Sequence, residues 1–207
     1  FVFCFINGFT GGFGICLGQR CGAKDEKGMR KSVAVSTLLS IIFTIVLTLI
    51  CCLLAHQILR WMQIPEDISG EAYDYMFVVL LGTGATVFYN MISNMLRALG
   101  DSKTPLVFLI IASIINIILD FVFILTFKMG VAGAAIATVT GQICAAILAI
   151  TFNLTKNPDV HISFKGFKPQ IIFVKNILSV GIPSIIMSSV GSATVSYTHL
   201  TLPTTSR

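Results

Sequence analysis

One aspartate, Asp120, lies within an otherwise uncharged stretch, PLVFLIIASIINIILDFVFILTF, which covers residues 105–127. A charge within a membrane span costs at least about 2.5–3.5 kcal/mol on insertion scales, so it rarely faces lipid. In apolar surroundings a carboxylate can take up and release protons near neutral pH. Its oxygens could instead bind a sodium ion, since hard cations prefer oxygen ligands. Either event would give a helix bundle two states, which alternating access needs.

Polar side chains near Asp120 extend this hypothesis. Asn116 precedes Asp120 by four residues, which places both on one helix face. At about 1.5 Å per residue, Asp120 and Thr138 lie roughly 10 Å from the outer ends of their segments, and Asn116 roughly 16 Å. We therefore predict a cation-binding or proton-binding site of Asp120, Asn116 and Thr138, which is also the predicted sodium site. Asn90, roughly 21 Å deep on the preceding segment, is a further candidate.

Two alternatives would leave Asp120 without a transport role. It could form a hydrogen-bonded polar lock with Asn116 and never titrate, as it would in a scaffold or a receptor. We favour function because the residue is ionisable and has an amide on its own face. The sequence contains no HExxH, GxSxG or paired-aspartate motif, so we predict no enzyme, no catalytic residue and no cofactor besides the coupling ion.

The elements that position these residues are membrane spans. The chain of 207 residues is 55% hydrophobic and only 11% charged, and its mean hydropathy is +0.90, which excludes an ordinary soluble domain. A helix needs about 20 apolar residues to cross the hydrocarbon core. Six segments meet this need, the first and last incomplete: 1–19, 33–55, 76–96, 105–127, 129–155 and 177–195. The predicted fold class is therefore an all-α polytopic membrane protein.

Basic residues alternate between the loops. Eleven lie in the first, third and fifth loops: Arg20, Lys24, Lys27, Arg30, Lys31, Arg97, Lys103, Lys156, Lys165, Lys168 and Lys175. The other side has only Arg60 and Lys128. The positive-inside rule then places the eleven in the cytoplasm of a multi-pass cell-membrane protein. Topology and anionic lipid explain the net charge of +5, so the bilayer is a predicted partner and nucleic acid is not.

Small residues indicate where helices pack closely. Gly8 and Gly12, and again Gly14 and Gly18, are four residues apart, and the run VAGAAIATVTGQICAA has small residues on more than one face. Such spacing lets two helix backbones approach each other. It specifies packing and not a function.

Four stretches in this order resemble the multidrug and toxic compound extrusion (MATE) family: QRCGAKDEKGMRKS, YNMISNMLRALGDSKTP, NIILDFVFI and GVAGAAIATVTGQ. The likeness extends to about Ala193 and implies the second to sixth spans and the start of the seventh. In that family, two six-helix lobes form a twelve-helix transporter that exports cationic, often aromatic, small molecules in exchange for sodium or protons. The resemblance implies that Asp120 is the fifth-helix carboxylate of the N-terminal lobe, with Asn116, Asn90 and Thr138 near it.

The resemblance also implies a domain organisation. Residues 1–155 would form the N-terminal transmembrane lobe without its first helix, residues 156–176 a cytoplasmic connector between lobes, and residues 177–194 the start of the second lobe. The full-length protein is expected to be a monomer. The nearest alternative is a lipid-linked oligosaccharide flippase of the same superfamily, which we rank second because such proteins tend to have a basic cavity.

The last stretch, VSYTHLTLPTTSR at residues 195–207, abruptly replaces the apolar pattern. It resembles the translation of a transposon-end sequencing adaptor, and we expect it to have no biological role. The alternative is a genuine polar loop.

Overall fold

The computed structural model describes residues 2–61, 66–156 and 171–201, and every element in these ranges is helical, as predicted. Most of the predicted connector and the last six residues lie outside the described ranges. The elements are α1 (Val2–Gly22), α2 (Glu26–Trp61), α3 (Glu66–Leu81), α4 (Thr83–Ala98), α5 (Lys103–Phe121), a π-helical turn (Val122–Thr126), α6 (Gly130–Lys156) and α7 (Ile171–Thr201).

The helices have the length and composition of membrane spans. In the described part of the chain, four are long and apolar enough to cross a membrane, within α2, α5 with its π turn, α6 and α7, and the bent pair α3 and α4 would make a fifth. α1 has 21 residues but is not among the helices that meet this criterion. Many large isoleucine, leucine, valine and phenylalanine side chains are exposed, as expected for a lipid-facing surface.

The predicted span 76–96 is not one straight helix. It is divided at Gly82 into the end of α3 and most of α4, which meet at an angle of 42°. A Cβ on Gly82 would lie 2.5 Å from a methyl carbon of Val139 on α6. The glycine at the bend therefore lets α6 approach the backbone there.

Glycines on two faces of α1 let the neighbouring helices α7 and α4 pack closely against it. A Cβ on Gly8 would lie 2.6 Å from the Cα of Ile185, and one on Gly12 would lie 2.7 Å from the Cα of Gly181, both on α7. On another face, a Cβ on Gly14 would lie 2.9 Å from the backbone oxygen of Asn94 on α4. The predicted close packing is confirmed at Gly8, Gly12 and Gly14, whereas a Cβ on Gly18 would make an ordinary contact, 3.7 Å from the Cβ of Ala98. α1 lies between α4 and α7.

α6 has small residues against several neighbours, as predicted. The buried small residues on this helix are Gly133, Ala135, Ala137, Gly141, Ala145, Ala146 and Ala149. A Cβ on Gly141 would lie 3.2 Å from the backbone oxygen of Ala112 and 3.2 Å from the Cβ of Asn116. Near the start of α6, a Cβ on Gly133 would lie 3.0 Å from the Cβ of Phe123 in the π turn. α6 therefore fixes the position of α5 and of the π turn.

Aspartates stabilise the starts of two helices. Oδ1 of Asp25 accepts a hydrogen bond of 2.9 Å from the N–H of Gly28 at the start of α2. Oδ1 of Asp101 accepts one of 3.0 Å from the N–H of Thr104 at the start of α5. Hydrogen bonds from the side chain and the backbone of Thr104 lower the pKa of Asp101. The stabilisation is thus present at neutral pH and is lost only when the pH falls through that lowered pKa.

Replacing Gly12 with alanine is expected to destabilise the chain by about 1–3 kcal/mol, the usual cost of overpacking, because the new Cβ would overlap the backbone of α7. The matched control is Gly11→Ala, since a Cβ on Gly11 would meet no atom within 4 Å. Thermal unfolding of the purified chain in detergent measures both variants. Equal unfolding midpoints would contradict the close packing of α1 on α7.

Candidate functional site

One cavity in the described structure lies among α1, α4, α5 and α6, and its volume is about 720 Å³. This is within the range of roughly 300–1,000 Å³ that is typical of small-molecule sites. Amide and hydroxyl side chains from all four helices line it: Asn7, Thr86, Asn90, Ser113, Asn116, Thr138 and Gln142. Apolar side chains such as Leu106 and Leu109 complete the wall. The cavity is thus suited to a ligand that is mostly apolar and has a few polar groups.

The structure brings together three of the four predicted site residues. Asn90 on α4, Asn116 on α5 and Thr138 on α6 all line this cavity. Asp120 is not among the lining residues. It lies in the last turn of α5, one turn beyond Asn116, and its side chain is half-buried.

Asp120 occupies a defined position on the α5 surface. It lies between two close contacts with α6, the one of Asn116 with Gly141 and the one of Phe123 with Gly133. The π turn begins two residues after it, and such turns often occur at functional sites. Neither a hydrogen bond nor an ion pair involves its carboxylate within the described ranges.

The amide of Asn116 also has unused hydrogen-bonding capacity. Its Nδ2 atom is buried and has no hydrogen-bond partner among the residues that the structure describes. The polar lock between Asn116 and Asp120 is therefore not formed in this structure. A buried polar group without a partner costs about 1–3 kcal/mol, so a ligand that paired with it would recover free energy.

Two residues of the cavity wall, Thr86 and Gln142, were not predicted from the sequence. Oγ1 of Thr86 on α4 donates to Oε1 of Gln142 on α6 over 2.5 Å, and Nδ2 of Asn90 donates to the backbone oxygen of Thr86 over 2.9 Å. Thr86 precedes Asn90 by four residues, and Gln142 follows Thr138 by four. The same one-turn spacing that linked Asn116 to Asp120 could have identified both.

The charge of the cavity wall is positive. Arg97, at the end of α4, lines the cavity, and its Nε donates to the backbone oxygen of Ser93 over 3.2 Å. No aspartate or glutamate lines the cavity in the described part of the chain. Asp101 directly precedes the lining residue Ser102, and Asp120 lies one helical turn beyond the lining residue Asn116.

The site predicted for a hard monovalent cation such as sodium stays a prediction. A carboxylate, an amide oxygen and a hydroxyl are the oxygen ligands that such cations prefer. They come from Asp120, Asn116 and Thr138, of which Asn116 and Thr138 line the cavity and Asp120 does not. Within the described ranges, no three His, Cys, Asp or Glu side chains are grouped to hold a metal ion. A sodium site here would thus depend on a single carboxylate with neutral oxygen ligands.

Comparison with known proteins identifies one family. The MatE family profile matches residues 1–122. The chain is 34% identical over 183 residues to the probable multidrug resistance protein YpnP of Bacillus subtilis, covering 88% of this chain and 41% of that protein. It is 24% identical over 182 residues to the multidrug export protein MepA of Staphylococcus aureus, covering 88% and 40%. The chain therefore spans about two fifths of the length of these relatives.

Solved structures agree with these matches. The described fold matches the inward-facing conformation of a multidrug resistance MATE family transporter of the MOP superfamily with a TM-score of 0.84 and 28% sequence identity. The match covers 90% of this chain and 43% of that one. These relatives do not support the alternative of an oligosaccharide flippase.

Replacing Thr86 with valine is expected to destabilise the chain by about 0.5–1.5 kcal/mol, because it removes the hydrogen bond to Gln142 between α4 and α6. Thr138→Val is the matched control, since Thr138 lines the same cavity and no hydrogen bond of its hydroxyl is present in the described structure. Thermal unfolding of both variants in detergent gives the comparison. If Thr138→Val costs as much as Thr86→Val, the bond contributes nothing specific.

Proposed function

The chain belongs to the MatE family of multidrug and toxic compound extrusion transporters, and on that premise we propose that it forms the N-terminal lobe of a secondary active multidrug exporter. The exporter would exchange cationic or aromatic small molecules for sodium ions or protons. Asp120 would be the carboxylate that couples the two fluxes. The observation that carries this proposal is the half-buried carboxylate one turn beyond a drug-sized cavity whose lining has no acidic residue.

The cavity would supply the binding surface for the exported molecule. Leu106, Leu109 and Tyr89 would contact its apolar or aromatic part, while Asn90 and Gln142 would hydrogen-bond to its polar groups. A few polar groups in an apolar wall give orientation without demanding one particular shape. Such a wall is compatible with several chemically different substrates.

Asp120 would supply the attraction for a positive charge. Two unit charges roughly 8 Å apart interact by about 2 kcal/mol at an effective dielectric constant of about 20. This corresponds to roughly a thirtyfold change in affinity. Because Arg97 contributes the opposite sign at the cavity wall, a cationic substrate would depend on the carboxylate for its electrostatic attraction.

Coupling would follow from competition for the same negative charge. When a sodium ion or a proton neutralises Asp120, the attraction for a cationic substrate falls and the substrate is released. When a substrate enters from the cytoplasmic side, its charge lowers the affinity of the carboxylate for the coupling ion. Asn116 and Thr138 would contribute oxygen ligands if the ion is sodium, and would only orient the carboxyl group if it is a proton.

Asp120→Asn is expected to abolish gradient-driven export by the complete carrier that contains this lobe, and to weaken binding of a monovalent cationic dye by up to roughly thirtyfold. The substitution keeps the size of the side chain but removes its charge, so membrane insertion should be unchanged. Dye export from proteoliposomes, driven by a sodium gradient alone or by a proton gradient alone, measures the effect. The gradient that drives export identifies the coupling ion.

The matched control is Asp74→Asn, which makes the same chemical change at an exposed position of α3. It should leave export unchanged. Export by Asp120→Asn at the rate of the unmodified carrier would mean that the carboxylate has only a structural role.

A further inference from the structure

A second cavity lies between the end of α1, the start of α2 and the start of α7, and its volume is about 280 Å³. It shares no lining residue with the larger cavity. Its wall is mostly polar and includes Gln19 and Arg20 from α1, Ser32 from α2, and Asn176 and Ser179 from α7. The volume equals that of about nine water molecules at about 30 Å³ each, so it exceeds the needs of a single structural water.

The hydroxyl of Ser32 has no hydrogen-bond partner in the described structure, although the residue is only 2% exposed. A serine in a helix usually donates to the carbonyl one turn before it or reaches water. Here the hydroxyl belongs to the cavity wall, and a buried donor without an acceptor is unfavourable. The site therefore has a hydrogen-bond donor in place for a ligand that accepts.

Arg20 gives the cavity a positive charge. Its guanidinium forms an ion pair with Asp25, with Nη1 and Oδ2 3.4 Å apart, and the Asp25 side chain is 49% exposed. Asp25 offsets the charge of Arg20, so the net positive charge at this end of the helices depends on the flanking segments as well. The flanking segments add five more basic residues and one more acidic residue: Lys24, Lys27, Arg30, Lys31, Lys175 and Glu26. An anion would be attracted to this end of the helices.

The combination of donors is typical of phosphate recognition. A guanidinium presents several N–H groups in a planar fork, and Arg–phosphate pairs are frequently bidentate. The hydroxyl of Ser32 and the side-chain amides of Gln19 and Asn176 add donors from the other sides of the cavity. The backbone oxygen of Asn176 already accepts from Oγ of Ser179 over 2.8 Å, so the α7 wall is locally ordered.

We propose that this cavity binds a phosphate ester, with Arg20 and Ser32 as its principal donors. By the positive-inside rule the cavity opens at the cytoplasmic membrane surface, where the phosphates of anionic phospholipids are the most abundant source. The ligand would join α1 and α2 to α7, which follows helices α1 to α6 in the chain. Its occupancy would thus stabilise the packing of α7 against the lobe.

The test measures lipid binding to the purified 207-residue chain by native mass spectrometry, with phosphatidylglycerol and phosphatidylcholine as probes. Phosphatidylglycerol should bind in a one-to-one complex, and Arg20→Gln and Ser32→Ala should each weaken that binding at least about fivefold, which is about 1 kcal/mol. Lys24→Gln is the matched control, because it removes a positive charge four residues from Arg20 that does not belong to the cavity wall. It should change the affinity less than twofold.

Each other outcome has a defined meaning. Equal weakening by Lys24→Gln and Arg20→Gln would show only general attraction to a basic surface and would overturn the proposal, as would unchanged binding to Ser32→Ala. If Arg20→Gln does not fold, Arg20→Lys takes its place beside Ser32→Ala. Unchanged binding of phosphatidylglycerol to both variants would then overturn the proposal. Displacement of the lipid by millimolar inorganic phosphate would assign the site to soluble phosphate esters, and the lack of displacement would assign it to lipid.

Discussion

The close approach of α1 to two neighbouring helices is the constraint on which the rest of the lobe depends. In a membrane, helix association gains little from the hydrophobic effect and relies on van der Waals contact between backbones. Gly8 and Gly12 allow this contact with α7, and Gly14 allows it with α4. Because α4 is fixed in this way, its polar residues Thr86 and Asn90 face the cavity at a defined distance from α6.

The helical class and most spans could be predicted from hydropathy, because a membrane leaves only helices and closed barrels as options. The close contacts of the Gly8 and Gly12 pair were also predictable, since a spacing of four residues defines one helix face. The bend at Gly82 was not, because single glycines are common in straight membrane helices and an apolar run gives no signal of a break. The π turn after α5 likewise has no signature in the run VFILT.

The candidate site was predictable in composition but only partly in geometry. Counting residues from the span ends gave similar depths for Asp120 and Thr138, and the structure places Asn116, Asn90 and Thr138 around one cavity. Depth does not specify the rotation of a helix about its own axis, and this rotation decides which side chains face the cavity. Packing sets it, here through the contacts of α5 with Gly133 and Gly141. Residue counting also does not show where the cavity ends along the helix axis, so the sequence alone did not show that Asp120 lies one turn beyond the lining residue Asn116.

The π-helical turn after Asp120 has a consequence for how this region tolerates changes in chain length. A π turn closes its hydrogen bond over five residues instead of four, as the bond from Phe127 N–H to the Val122 oxygen does, so it accommodates one residue more than an α-helical turn. The register of α5 against α6 is set on one side by Asn116 and on the other by Phe123. If one residue is deleted within the turn, a return to α-helical geometry absorbs the change. If one residue is deleted between Asn116 and Asp120, the carboxylate turns by about 100° around the helix axis relative to Asn116.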